Sequence, residues 1–225
     1  MSTTAKKRSH RTSAGTRDRV RILLRLAGST YAQDAGIRLA DKPAPLWQLL
    51  VLSNLLSARI SADIAMAAAR ELFRAGGRTP HGMAELTWQQ RVDALGRGHY
   101  VRYDEGTATR LGECADLVRD RYAGDLRRLA READDDPARV RELLTEFPGI
   151  GPTGAAVFCR EAQAVWPFLR PALDRRALAG AKRVGLPSDA AELASLVPDD
   201  ELSSLAAALV RADLHHDLAE KVTAS

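Results

Sequence analysis

The stretch Leu144-Thr145-Glu146-Phe147-Pro148-Gly149-Ile150-Gly151-Pro152-Thr153-Gly154-Ala155-Ala156 constrains this chain more than any other. An apolar, helix-compatible run stops at a proline. A Gly-Ile-Gly turn follows, and a second helix of small residues begins. Glycine tolerates positive φ and puts no side chain in the path of a ligand. Ile150 would pin the turn to the core while the flanking N–H groups face outward. Those amides add to the positive end of the next helix and form an anion-binding concavity. Pro152 falls near that helix's start, where a missing N–H costs little. The same residues also read as a plain helix–turn–helix linker, because Pro-Gly is a general turn signal.

The rest of the chain bears on that choice. Its 225 residues suffice for one large domain or two small ones. A formal charge of +4 suits a polyanionic partner without demanding one. Aromatics make up only 5% and β-branched alternation is scarce, which points to an all-α protein. No run of about 18 apolar residues predicts a membrane span, and the N-terminus has no apolar signal core. The two cysteines, Cys114 and Cys159, read as reduced, buried residues of a cytoplasmic protein. Two cysteines cannot build a four-cysteine metal or iron–sulfur site.

Residues 1–17 carry Lys6, Lys7, Arg8, Arg11 and Arg17 with no acid before Asp18, and read as a disordered basic tail. Such a tail serves either solubility or non-specific phosphate contact. A helix is expected over 18–28, and Pro43 and Pro45 mark a boundary. Leu46–Leu56 is apolar nearly all round and predicts a buried central helix. Helices are expected over 61–74, from the Thr87-to-Gln90 capping box to Leu95, from Tyr103 to Tyr122, and from Asp136-Pro137 into the turn. Further helices are expected over 153–164 and 174–184, with two more from 188 to 222. The acidic runs 134–136 and 199–200 read as solvated helix caps rather than metal sites.

From Leu46 to Leu186 the chain resembles the helix–hairpin–helix DNA glycosylase superfamily, in its endonuclease III-like branch. Three blocks carry the resemblance. Leu55-Leu56-Ser57-Ala58-Arg59 is similar to that family's Leu-Leu-Ser-Ala-Gln. Gly98-His99-Tyr100 is similar to its Gly-Leu-Tyr loop. Phe147 to Gly151 is similar to its hairpin, followed by Leu173-Asp174 and Arg183-Val184-Gly185-Leu186. Asp174 lies 23 positions past Gly151, the family distance. The resemblance implies an all-α, two-lobed fold with the active-site cleft between lobes. One lobe would span about 60–165 and carry the hairpin 148–152; the other would combine about 18–59 with 166–225.

The departures narrow the implied chemistry. In bifunctional members a lysine follows the hairpin and attacks the sugar; here Thr153 stands there, and no lysine occurs between 43 and 181. Arg175-Arg176 replace the family's Thr-His, Ala179 replaces an arginine, and the iron–sulfur cysteines are absent. The resemblance therefore implies no iron–sulfur cofactor, although it admits a monovalent cation at the hairpin.

Breaking an N-glycosidic bond develops oxocarbenium-like charge on the sugar, which a nearby carboxylate stabilises while it orients water. Asp174 fills that role in the resemblance and is otherwise an ordinary helix N-cap. Pro148, Gly149, Ile150, Gly151 and Thr153 form the implied DNA-binding hairpin. A flipped base leaves a gap, for which Arg59 is the implied plug and otherwise a surface arginine. His99 and Tyr100 would wedge the duplex or line the base pocket. Arg175 and Arg176 are candidate phosphate contacts, as are Arg102, Arg160, Lys182 and Arg183. The expected protein is a monomeric, monofunctional base-excision glycosylase acting on double-stranded DNA, with weak or no lyase activity. It would be cytoplasmic, and associated with the nucleoid if bacterial. The alternative is a catalytically inactive DNA-binding protein on the same scaffold.

Overall fold

A computed structural model of the chain describes residues 3–224, with side chains described from Gly15 onward. Every regular element among the described residues is helical. The chain divides into two compact units, Tyr31–Leu169 and the pair of segments Met1–Thr30 with Arg170–Ser225.

The Tyr31–Leu169 unit holds α2 (Tyr31–Asp34), α3 (Pro43–Leu56), α4 (Ala62–Arg74), α5 (Pro80–Glu85), α6 (Trp88–Arg97), α7 (Asp104–Tyr122), α8 (Arg127–Glu132), α9 (Pro137–Thr145) and α10 (Pro152–Ala162), then a 3₁₀ turn at Pro167–Leu169. Helix α3 is its axis: every residue from Leu46 to Leu55 is buried, as an all-round apolar helix requires. It packs on α4 and α10, while α7 packs on α5 and α6. Trp47 lies in this core, its indole N–H donating to Gly77 O at 3.0 Å. Local caps set the helix starts. Ser61 Oγ accepts from Ile64 N at 3.3 Å, and Asp136 Oδ1 accepts from Ala138 N at 2.9 Å. Thr87 and Gln90 form a reciprocal capping box at 3.1 and 2.8 Å.

The other unit holds α1 (Thr3–Ala27), α11 (Arg175–Arg183), α12 (Ala190–Ala194), a 3₁₀ turn at Asp199–Glu201, α13 (Leu202–Leu214) and α14 (His216–Thr223). Helix α13 is its apolar centre, with α1, α11 and α14 packed on it. Gly180 lets α11 approach closely: a methyl group there would fall 1.8 Å from Leu209 O.

Three expectations change. The backbone is helical from Thr3, so the segment 1–17, read as a disordered tail, enters α1. Residues 1 and 2 and the side chains before Gly15 lie outside the described residues. Helix α3 belongs with the hairpin rather than with the C-terminal helices, because its buried faces meet α4 and α10. The C-terminal segment forms three short helices and a 3₁₀ turn instead of two helices, since Asp189 caps Ala191 N and Glu192 N (both 2.9 Å) and opens α12 early.

Candidate nucleic-acid interface

The hairpin between α9 and α10 is fixed from beneath. Phe147 and Ile150 are buried, and Ile150 N donates to Phe147 O at 2.9 Å. The Pro148 carbonyl accepts from Asn54 Nδ2 at 2.8 Å and from the Cys114 thiol at 3.3 Å. These two bonds engage both carbonyl lone pairs. Burial pushes the Cys114 thiol up to about 12, which suits a neutral S–H donor. Neither Asn54 nor Cys114 was singled out for this role in the sequence. Asn54 was detectable as one of the few polar side chains in an apolar helix, but its partner lies 94 residues away.

The upper surface of the hairpin is backbone. Gly149, Gly151, Pro152 and Thr153 are exposed. Gly149 has φ +83°, so glycine is required there. A methyl on it would also lie 2.8 Å from Asn54 Nδ2 and 2.9 Å from Arg110 Nε. Gly151 differs. Its φ is −92°, and a methyl there would meet nothing within 4 Å. It caps α10 without a side-chain bond, and Ala155 N donates back to Gly151 O at 3.0 Å. The amides of Gly149, Gly151 and Thr153 donate to no acceptor among the described residues. Ile150 has spent its N–H on Phe147 O, which leaves the flanking amides.

Two of the sequence blocks come together at this hairpin. A methyl on Gly154 would sit 2.5 Å from Ser57 Oγ, so α10 is seated on the end of α3. Arg59 follows there, exposed and without an ion-pair partner among the described residues. The loop 98–100 is seated on α4, since a methyl on Gly98 would lie 2.4 Å from Ala68 Cα. His99 is exposed with φ +63°, an uncommon conformation for a side-chain-bearing residue. Tyr100 is a correction. It is 1% exposed and belongs to the core, not to a wedge or pocket wall. Burial raises its phenol above the ordinary value, against a hydrogen bond from Thr107 and the charge of Arg110.

In the other unit, Asp174 is the N-cap of α11, its Oδ1 accepting from Ala177 N at 2.9 Å. Arg175 is exposed. Arg176 pairs with Asp213 at 3.4 Å, and Arg183 shares that carboxylate at 3.1 Å. Arg160 is a further correction: it is 3% exposed and lies over the Tyr31 ring at 5.8 Å, so it cannot reach a phosphate. Beside it, buried Glu161 accepts the first amides of α2, Tyr31 N at 3.3 Å and Ala32 N at 2.9 Å. No group of metal-ligating side chains occurs among the described residues, and no helix among them is long and apolar enough to cross a membrane.

No protein-family model and no curated protein matches this chain. Among solved structures it is similar to endonuclease III in a non-covalent complex with DNA, at 19% identity over 87% of this chain and 84% of that one, with a TM-score of 0.49. It is similar over the same shares and at the same identity to a trapped endonuclease III–DNA covalent intermediate, an estranged-adenine complex, with a TM-score of 0.47.

Proposed function

We propose that this chain is a DNA glycosylase of base-excision repair that hydrolyses the bond between sugar and a damaged or mismatched base, with water as the nucleophile. The observation that carries the reading is the start of α10. Its cap is a glycine with no side-chain bond, and its exposed amides lie on a turn locked from beneath by Asn54 and Cys114. A helix N-terminus so arranged receives an anion from outside, and a DNA backbone phosphate is an anion of the right size and charge. Holding the duplex there leaves the base to be flipped outward. Arg59 and His99, both exposed, are the residues of this unit suited to fill or wedge the gap.

Asp174 supplies the carboxylate. It stabilises the oxocarbenium-like sugar and orients the attacking water, whose proton it accepts as the new C–O bond forms and the base departs. Thr153 stands where a lyase would carry its amine, so strand cleavage is weak or absent. The chemistry needs no metal or iron–sulfur cluster. The protein works as a monomer on double-stranded DNA, in the cytoplasm and on the nucleoid if bacterial.

A second reading is favoured by one observation: Asp174 already serves as an ordinary helix cap, bonded to Ala177 N. On that reading the protein binds duplex DNA and releases no base. Single-turnover base release from duplexes carrying a panel of lesions separates the two. The glycosylase reading expects release from at least one lesion, abolished in Asp174→Asn. Binding with no release from any lesion supports the second reading.

A further inference from the structure

The geometry points to Arg110 as the side-chain arm of the hairpin's phosphate site, gripping the DNA backbone beside the amides of α10. The inference rests on the DNA-binding reading above and adds to it a residue that the sequence did not distinguish. Arg110 sits in the first half of α7, half-buried, with its guanidinium against the hairpin. A methyl group on Gly149 would lie 2.9 Å from both its Cδ and its Nε. On the other side, a methyl on Gly106 would lie 3.2 Å from Nη1. Two glycines thus make room for one guanidinium. Its aim is set by Thr107, whose buried hydroxyl accepts from Nη2 at 2.8 Å.

The electrostatics separate Arg110 from its neighbours. Further along α7, Arg119 pairs with Asp116 at 3.0 Å, and Arg121 pairs with Glu132 and Glu146. Arg110 pairs with no carboxylate among the described residues. Asp104 and Glu105 line the same cavity of about 370 Å³, yet neither forms an ion pair with it. Asp104 instead accepts from Glu105 N at 2.8 Å. A guanidinium has five N–H donors, and Thr107 takes one of them. Arg110 also lines an open cavity that holds the exposed Arg102. A planar fork held in one orientation and left without a protein anion matches a phosphate's paired oxygens.

The test is equilibrium binding of the full chain to a fluorescein-labelled duplex containing an abasic site, followed by anisotropy from about 50 to about 200 mM salt. Arg110→Gln should weaken binding about tenfold. It should also lower the slope of log K against log salt by about 1. Arg110→Lys should keep the slope but lose severalfold in affinity, because a point charge replaces the fork. Arg139→Gln, which removes an arginine paired with Glu142, should change neither. Should Arg110→Gln fail to fold, Arg110→Lys decides alone, with wild-type affinity in it overturning the assignment. Wild-type affinity and slope in Arg110→Gln would likewise overturn it, while Gly151→Thr still losing affinity would leave the hairpin reading intact. No binding by the wild type would overturn both.

Discussion

Two helix starts in this protein treat their exposed amides in opposite ways. At α10 the cap is Gly151, which offers no side chain, and the amides of Gly151 and Thr153 meet solvent. At α11 the cap is Asp174, which brings its own anion to Ala177 N. The first N-terminus leaves its amides to solvent or to an outside acceptor; the second covers one of its amides with its own carboxylate. A helix end acquires a binding function when its sequence withholds the cap that stability would favour. On the proposed reading the hairpin anchors DNA and Asp174 has two duties, which substitutions can pull apart.

The largest expected effect does so. Asp174→Asn keeps a good N-cap and removes the charge, so base release should fall by about 10² or more, with thermal stability unchanged. Asp174→Ala should lose the same activity and in addition about 1 kcal/mol of stability. Equal activity in Asp174→Asn and wild type would reduce Asp174 to a cap and break the contrast on its catalytic side. Next comes Gly149→Val. It forces a branched side chain into φ +83° against Asn54 and Arg110, and should cost about 1–3 kcal/mol together with DNA affinity. Chemical denaturation and binding measured side by side would show both losses. Asn54→Ala is milder. It removes the bond to Pro148 O and should cost about 1 kcal/mol, with the melting temperature about 2–4 °C lower. It should also weaken DNA binding severalfold by loosening the turn.

The smallest effect is one of pH, confined to the hairpin unit. Arg127 hydrogen-bonds the Asp125 carboxylate and holds its pKa below the ordinary value. Because that pKa is lower folded than unfolded, the pair stabilises at neutral pH. Its contribution disappears as acid takes the pH down through the folded value. Asp125→Asn should therefore cost about 1 kcal/mol at pH ~7 and little in strong acid. Intrinsic fluorescence is a fitting probe, since Trp47, Trp88 and Trp166 all lie in the Tyr31–Leu169 unit.

What the sequence made legible was short-range. The Thr87–Gln90 box, the Asp136 and Asp174 caps and the hairpin turn each depend on residues within a few positions, where backbone geometry leaves little choice. Helix α3 was legible as buried because no polar face exists to expose. Its partners were not, so it was placed in the wrong unit. Tyr100 shows the same limit: it follows exposed His99 in a loop, and only long-range packing sends one ring outward and the next into the core. Asn54 under Pro148 and Glu161 at the start of α2 join residues 94 and 129 apart. Nothing local announces such bonds. Arg110 was one arginine among many until two glycines and a threonine fixed its direction.

Gly151→Thr is the most direct test of the claim that the start of α10 is built for an outside anion. Threonine caps a helix about as well as glycine, its φ is allowed, and the space around a Cβ there is open. The account predicts folding stability within about 0.5 kcal/mol of wild type and duplex affinity at least about tenfold weaker, because the side chain occupies the approach to the amides. Wild-type affinity in a folded Gly151→Thr protein would contradict it.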